Sequence, residues 1–221
     1  MDRLCQNDQR EGPRFLGELT ALLSHDVKNV LAIINENAGL LEDLAFMASK
    51  SDLTESQVID PQRLAAVAGK IRQQVRRADL MVKRLNQVGH SVDQSWATVD
   101  LCEMVDILCA LAGRKADMKA VTLSPTSSTD TVLVKSDPFL LQQLIWYCLD
   151  SAINMMPKAT LTIDVQRSPD GTDIVFGPLA EDVPIEKITD DEGLNRWLKA
   201  LKIQWVADQE HHLLKIRLPP R

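Results

Sequence analysis

Residues 23–44 read LSHDVKNVLAIINENAGLLEDL, and the spacing of their apolar residues indicates the structure of the N-terminal half. Small or apolar residues recur there at alternating steps of three and four, which is typical of a coiled-coil-like seam along a helix. Asn37 interrupts the seam, and one polar residue in a seam sets the register of packed helices at a cost in stability. We therefore predict a long helix from about Pro13 to Ala48, with the seam Leu23, Val27, Val30, Ile34, Leu41 and Leu44.

A second helix is predicted after a polar connecting loop. Asp60 suits the N-cap position, and Pro61 suits the first helical position, where its missing N–H costs nothing. Two such helices form an antiparallel hairpin with one apolar stripe each, and at about 25 cal/mol per Å² of buried apolar surface the simplest partner is a second copy. We predict a homodimer with a four-helix bundle; the alternative is that the C-terminal half covers the stripe. The stripe of the second helix is Leu64, Ala68, Ile71, Val75, Ala78, Val82 and Leu85.

The C-terminal half alternates helical and strand patterns after a linker at residues 91–100. Asp100 and Asp137 each precede a helical pattern, and Asp170-Gly171 is a turn signal between two alternating segments. We predict an α+β fold, with a mixed sheet and helices on one face. The predicted domains are a helical hairpin at 1–92 and a small α/β domain at 97–221. The helices are expected near 101–120, 138–156 and 191–202, and the strands near 121–123, 132–135, 159–166, 172–176, 203–208 and 213–219.

The composition is that of a soluble globular protein, since 45% of the 221 residues are hydrophobic and 25% are charged. The formal net charge of −6 argues against a nucleic-acid partner, because neutralising phosphates requires a basic surface. No apolar run approaches the ~20 residues that cross a bilayer, and the first residues lack the apolar core of a signal peptide. We expect a cytoplasmic protein that binds neither nucleic acid nor a membrane. No metal site or disulfide scaffold is expected, because no CxxC pair occurs among Cys5, Cys102, Cys109 and Cys148.

The seam places three polar side chains on the outer side of the predicted bundle. If Leu23 and Val27 occupy the seam, His25 lies directly opposite it. Asn29 lies about 40° further round and one turn along, and Asp26 lies beside both. A neutral imidazole is a competent nucleophile, an adjacent carboxylate can orient it and accept its proton, and an amide can position a water or a phosphoryl oxygen. The alternative is that His25 is a solvated helix residue without a function.

Leu-Ser-His-Asp-Val-Lys-Asn at 23–29 resembles the H-box of sensor histidine kinases, whose pattern is H-[D/E]-x-x-[N/T]. The resemblance continues over nearly the whole chain. The second helix is similar to the other arm of the dimerisation and histidine-phosphotransfer hairpin of that family. Residues 99–123 resemble the start of the kinase ATP-binding domain. Residues 132–157 resemble its N-box helix, and residues 193–220 resemble its closing helix and final hairpin.

The resemblance implies a role for each of the three polar residues. His25 would receive the phosphoryl group, and Asp26 would assist the attack. Asn29 would orient the water that dephosphorylates a partner response regulator.

The nucleotide-binding motifs of the family are changed in this chain. The family's N-box reads approximately N-L-L-x-N-A-I-K, and its second Asn helps to hold the Mg²⁺ of ATP. YCLDSAIN stands here, so the two Asn positions are occupied by Tyr147 and Ser151. Asp150 is a hard ligand that could bind a cation, but it lies one position off the ligand face. FGPLA, which contains Gly177, stands where the family has D-x-G-x-G, whose Asp holds the adenine amine.

The glycine-rich ATP lid of the family is also missing. Residues 181–192 read EDVPIEKITDDE, and an acidic segment at this place would repel a triphosphate. We therefore expect the domain to keep the kinase-domain fold and to bind neither ATP nor Mg²⁺, with no cofactor at the degenerate positions Tyr147, Ser151 and Gly177.

The second helix carries many basic residues. They form either a solvated outer face or an electrostatic platform for the acidic receiver domain of a response regulator, since such steering speeds association. The basic residues are Arg63, Lys70, Arg72, Arg76, Arg77, Lys83 and Arg84.

These observations together predict a dimeric histidine phosphotransferase of a two-component phosphorelay. It would carry phosphate on His25 and exchange it with response-regulator aspartates, or remove it from them, without hydrolysing ATP. This resembles dimeric histidine phosphotransferases that carry a decayed kinase domain. Two alternatives stay open: an active histidine kinase with a divergent ATP site, and a non-catalytic pseudokinase adaptor that binds a partner through the bundle.

Overall fold

The structure is a computed structural model, and it describes residues 2–50, 60–126, 131–156, 158–180, 192–208 and 210–220. The predicted α+β class is confirmed: two long helices come first, and strands and helices alternate after them. In chain order the elements are α1 (Asp2–Lys50), α2 (Pro61–His90), β1 (Ala97–Asp100), α3 (Leu101–Met118), β2 (Thr122–Pro125), β3 (Leu133–Ser136), α4 (Pro138–Met155), β4 (Thr160–Ser168), β5 (Gly171–Gly177), α5 (Glu192–Leu201), β6 (Gln204–Asp208) and β7 (Leu213–Leu218).

The chain divides into two compact units. The helical unit is Glu18–Asn86, which comprises most of α1 and α2. The α/β unit consists of Met1–Gly17 together with Gln87–Arg221, so the first turns of α1 belong to the unit that contains the sheet.

The α/β unit is built on a mixed five-stranded sheet with the order β2-β4-β5-β7-β6. β2 runs parallel to β4, and the other neighbours are antiparallel. Opposite residues on β5 and β7, such as Ile174 and Ile216, point to the same face and are fully buried. α4 supplies much of the remaining core, since Ile145 and Leu149 have no exposed surface.

The predicted linker at residues 91–100 contains a strand that the sequence analysis missed. β1 pairs with β3 in a separate two-stranded antiparallel sheet, with Val99 opposite Val134. The prediction failed because four residues are too few to show an alternating pattern. Their pairing partner also lies more than thirty residues further along the chain.

The predicted helix starts are formed by aspartate side chains. Asp60 accepts a hydrogen bond from the N–H of Gln62 at 2.9 Å, and Asp100 accepts one from Cys102 at 3.0 Å. Asp137 caps α4, where Pro138 occupies the first turn. Each cap of this kind is worth about 1 kcal/mol, which explains why these starts could be predicted from sequence.

α1 begins earlier than predicted, and Pro13 lies inside it rather than at its start. Packing outweighs the cost of this proline within the α/β unit. Phe15 is buried, with its ring centroid 5.9 Å from that of Phe139 and 6.0 Å from that of Trp146. Gly12 lies so close to Phe139 that an added Cβ would be 3.1 Å from the ring. The sequence analysis did not anticipate these contacts, because the apolar spacing used to place α1 begins at Leu23.

We predict that Phe15→Ala lowers the stability of the α/β unit by about 3 kcal/mol, because the substitution leaves a cavity beside two aromatic rings. The measurement is urea unfolding followed by tryptophan fluorescence. The matched control is Met118→Ala, which also truncates a large apolar side chain to alanine but at an exposed position of the same unit. An equal effect of both substitutions would contradict this packing. The fluorescence reports the α/β unit because it contains all four tryptophans, Trp96, Trp146, Trp197 and Trp205.

In the helical unit, the seam of α1 is buried to different degrees. Val30 and Leu44 are almost fully buried, and the other seam residues are half-buried. Asn37 is buried as well, and its side-chain amide donates a hydrogen bond to the carbonyl oxygen of Ile33 at 2.7 Å. Part of the cost of burying this polar side chain is therefore offset within its own helix.

The predicted stripe on α2 is displaced relative to the buried side. Val67, which was not assigned to the stripe, is almost fully buried, whereas Val75 and Val82 are about half exposed. Val75 and Val82 are seven residues apart, so they lie on one side of α2, two turns from each other. The single chain therefore leaves an apolar side of α2 open to solvent.

Candidate functional site

His25 lies in the middle of α1, and half of its side-chain surface is exposed (50%). Val27 and Val30, two and five residues further on, turn toward the protein and are at least half-buried. The helix thus presents the imidazole to solvent on the side away from its packed face.

Two polar side chains approach the same ring nitrogen of His25. The side-chain amide nitrogen of Asn29 lies 3.2 Å from Nδ1, one helical turn further on. A carboxylate oxygen of Asp26 lies 4.0 Å from Nδ1, and the Asp26 side chain is 25% exposed. The three residues that the sequence analysis named are therefore brought together, with both neighbours on the Nδ1 side of the imidazole.

This arrangement suits nucleophilic group transfer. The ring is reachable from solvent, the Asn29 amide can orient it, and the Asp26 carboxylate can stabilise a proton on Nδ1. The other ring nitrogen, Nε2, then keeps its lone pair for an incoming electrophile.

The face of α4 that carries the two degenerate N-box positions is packed against α5. Tyr147 and Trp197 form an edge-to-face pair with ring centroids 5.9 Å apart. Ser151, one turn after Tyr147, is half-buried. Leu140 and Gln143 precede Tyr147 by seven and four residues and so share its face. Both line a small cavity of about 240 Å³ together with Trp197 and residues of α1.

Asp150 is engaged in an ion pair on another side of α4. Its carboxylate pairs with Lys115 of α3 and also accepts a hydrogen bond from Asn154 at 2.9 Å. A carboxylate that is already paired with a lysine binds a further cation less readily, because the positive charge of the lysine repels that cation.

Residues 176–180 are held tightly at the end of β5. Phe176 is fully buried. Gly177 has a φ of +153°, and an added Cβ would lie 2.6 Å from a methyl carbon of Leu213. The N–H of Leu179 donates to the carbonyl oxygen of His212 at 2.8 Å. Of the acidic segment predicted at 181–192, residues 181–191 lie outside the described residues.

The basic residues of α2 are mostly exposed. Lys83 forms an ion pair with Asp79 at 2.8 Å, which raises the pKa of the lysine, first through the hydrogen bond and then through the charge of Asp79. Arg84 is half-buried. The other basic residues of α2 are exposed, namely Arg63, Lys70, Arg72, Arg76 and Arg77.

Two of the cysteines in the α/β unit, Cys109 and Cys148, are buried. Burial raises the pKa of the Cys109 thiol to about 12 and raises that of Cys148 as well, so both stay protonated and unreactive. The described residues contain no cluster of three or more side chains suited to hold a metal ion. None of the described helices is both long and apolar enough to span a bilayer.

No protein-family model and no curated protein sequence matches the chain. Solved structures of histidine kinases are similar to it in fold. The catalytic domain of histidine kinase ThkA is 13% identical, with a TM-score of 0.48 over 57% of this chain and 96% of that chain. The ATP-binding domain of PrrB from Mycobacterium tuberculosis is 14% identical, with a TM-score of 0.49 over 58% and 99%. Histidine kinase AdeS from Acinetobacter baumannii is 13% identical, with a TM-score of 0.43 over 88% and 97%.

The sequence analysis missed the contacts around α4. It did not place Trp197 against Tyr147, and it gave Phe15 no role. The signal that was available is the large aromatic side chain of Tyr147 at a position where the resembled motif has Asn.

Proposed function

We propose that this protein is a dimeric histidine phosphotransferase of a two-component phosphorelay in the cytoplasm. It exchanges a phosphoryl group between His25 and the phosphoaspartate of a response regulator, and it does so without ATP. In the forward step a ring nitrogen of His25 forms a bond to phosphorus. The bond from phosphorus to the regulator's carboxylate oxygen breaks, and the electron pair leaves with that carboxylate.

The observation that carries this proposal is the exposed imidazole with Asp26 and Asn29 both at Nδ1. The two polar side chains can orient the ring, and a docked protein can reach it because half of the His25 side chain is exposed. The basic residues of α2 support a receiver domain as the partner, because a phosphoacceptor pocket built from carboxylates is attracted to such a surface.

A homodimer is supported by the apolar residues that stay exposed in the helical unit. Leu31 on α1 is 56% exposed and Val75 on α2 is 52% exposed. Leu31 lies four residues after Val27 and three before Ile34, so it extends the half-buried side of α1. A second copy of the chain, with the same apolar surface, would cover these side chains in a four-helix bundle.

The absence of ATP binding is supported by what fills the N-box face. Tyr147, which matches the first N-box Asn in the resemblance, forms an edge-to-face pair with Trp197. Fully buried Phe176 stands where the family holds the adenine amine. A nucleotide would have to displace aromatic packing at both places, and Asp150 is committed to Lys115.

We predict that Mg²⁺ and ATP neither label the protein nor raise its melting temperature. The reason is that a ligand stabilises a folded protein only when it binds the folded state. The measurement is a pair of labelling reactions on the full chain, one with γ-labelled ATP and one with a receiver domain carrying labelled phosphate.

The outcomes separate the three functions. Label from the receiver alone, lost in His25→Gln, supports the phosphotransferase. Label on His25 from ATP alone contradicts the proposal and favours a kinase. Label from neither source contradicts it and favours an adaptor.

A further inference from the structure

We infer that Asn37 on α1 and Gln74 on α2 form a buried layer of side-chain amides, which is completed only when a second copy of the chain adds the same two residues. The layer fixes the level at which two helical units meet. This inference rests on the homodimer of the proposed function, and it names the polar residues that give that dimer its specificity.

The two amides lie at the same level of the helical unit. Asn37 lies thirteen residues before Lys50, the last residue of α1, and Gln74 lies thirteen residues after Pro61, the first residue of α2. At a rise of about 1.5 Å per residue, each is about 20 Å from the end at which the two antiparallel helices are joined. Both residues therefore belong to one layer of the helical unit.

Each amide also lies on the buried side of its helix. Val30 and Leu44, seven residues before and after Asn37, are almost fully buried, and Asn37 itself is 9% exposed. On α2, Val67 lies seven residues before Gln74 and is almost fully buried, while Gln74 is half-buried. A spacing of seven residues keeps side chains on one side of a helix, so each amide is a polar member of an apolar row.

The single chain leaves these amides incompletely hydrogen-bonded. The amide nitrogen of Asn37 donates to the carbonyl oxygen of Ile33 at 2.7 Å, which leaves its second N–H and its oxygen for other partners. Oε1 of Gln74 is buried and has no hydrogen-bond partner in the described part of the chain. A buried amide oxygen without a partner is costly, because it has lost its hydrogen bonds to water. The layer therefore needs further donors and acceptors.

A second copy of the chain supplies these groups. In a four-helix bundle made of two antiparallel hairpins, each α1 packs against the α2 of its own chain and the α2 of the other chain. With the twofold axis along the bundle, both of these helices present Gln74 at the level of Asn37. The open side of α2 adjoins the layer, since Val75, the residue after Gln74, is 52% exposed. Two asparagines and two glutamines thus meet in one layer.

A layer of this kind contributes specificity to the dimer. A shift of one copy along the bundle by seven residues, about 10 Å, keeps the apolar rows packed against each other. The shift places each Asn37 at the level of apolar side chains such as Val67 or Met81, which offer the amide neither a donor nor an acceptor. The unshifted dimer is the arrangement that satisfies the amides.

The first test is a double-mutant cycle on the full chain, with the dissociation constant of the dimer measured by sedimentation equilibrium. We expect Asn37→Leu and Gln74→Leu each to raise this constant about tenfold, because each leaves amides of the other residue without partners. The combined variant should dimerise at least as tightly as the wild type, since an apolar layer then replaces the whole polar layer. The control is Ile33→Leu with Ile71→Leu, which changes half-buried apolar residues of the same helices and should leave the constant unchanged.

The second test is cross-linking between copies. A chain with Asn37→Cys is mixed with a chain with Gln74→Cys, both with Cys5 and Cys102 replaced by serine, and the mixture is oxidised. We expect a disulfide between the two chains, because the two substituted residues face each other across the interface. No disulfide should form when the second chain carries Met81→Cys, one layer away, in place of Gln74→Cys.

The outcomes separate this layer from the proposed function. Leucine substitutions whose effects on the dissociation constant simply add, or a cross-link that forms equally well at Met81, would overturn the layer and leave the dimer in place. A wild-type protein that stays monomeric would overturn both the layer and the proposed homodimer. Phosphotransfer is measured in neither test, so the layer and the role of His25 stand or fail separately.

Discussion

Replacement of His25 by glutamine is expected to abolish phosphotransfer, with a fall of at least about 1000-fold in the rate at which the protein takes phosphate from a regulator. Glutamine has a similar size and remains polar, but its amide nitrogen has no lone pair available for attack. The fold should be unaffected, because the side chain is half exposed and lies on the outer side of a long helix. The measurement is rapid-quench labelling with a phosphorylated receiver domain, together with the helical signal in circular dichroism.

The matched control for this substitution is His90→Gln. His90 is also an exposed histidine on a helix, so the control removes an imidazole without touching the proposed site. Its transfer rate should equal that of the wild type. Retention of transfer in His25→Gln, or an equal loss in both variants, would contradict the role of His25.

The combination of Leu31→Glu and Val75→Glu is expected to convert the proposed dimer into a monomer. Each apolar side chain contributes about 1.5 to 3 kcal/mol when fully buried, and a twofold interface loses every contact twice. The dissociation constant of the dimer should therefore rise by at least about 100-fold. Sedimentation equilibrium over a range of protein concentrations measures this change directly.

Leu80→Glu is the control for the dimer. Leu80 is an exposed apolar residue on α2, but it lies five residues from Val75, on the opposite side of the helix. This variant should sediment as the wild type does. A wild-type protein that is monomeric at all concentrations would contradict the predicted bundle, and so would equal weakening by both sets of substitutions.

The parts of the fold that were predicted correctly have local causes. The caps at Asp60, Asp100 and Asp137 depend on side chains within three residues of the helix start. The hairpin of β4 and β5 depends on the turn residues Asp170 and Gly171, together with the alternating pattern on either side. Such signals lie within a short window, so a single sequence is enough to read them.

The parts that were missed depend on residues far apart in the chain. β1 exists because of its pairing with β3, and the early start of α1 depends on Phe15 packing against Phe139 and Trp146. In the same way, the residues that pack on α2 determine which of its sides is buried. Val67 is buried although it was not expected to be, and Val75 is exposed although it was expected to be buried.

The candidate site also combines features that follow from local spacing with features that depend on side-chain packing. The exposure of His25 follows from helical periodicity, and the proximity of Asn29 follows from its spacing of four residues. That both Asp26 and Asn29 approach Nδ1 depends on side-chain rotamers, which the spacing does not determine. Trp197 packs on Tyr147 from a different helix, fifty residues further along the chain, so no local pattern could show this contact.

The most direct test of the central claim is ³¹P NMR of the full-length protein mixed with a phosphorylated receiver domain in the absence of ATP. We expect a phosphoramidate resonance to grow as the acyl-phosphate resonance of the receiver falls, and to be absent in His25→Gln. The opposite result is an acyl phosphate that decays to inorganic phosphate at the receiver's own rate, with no phosphoramidate resonance at any time. That result would contradict the account.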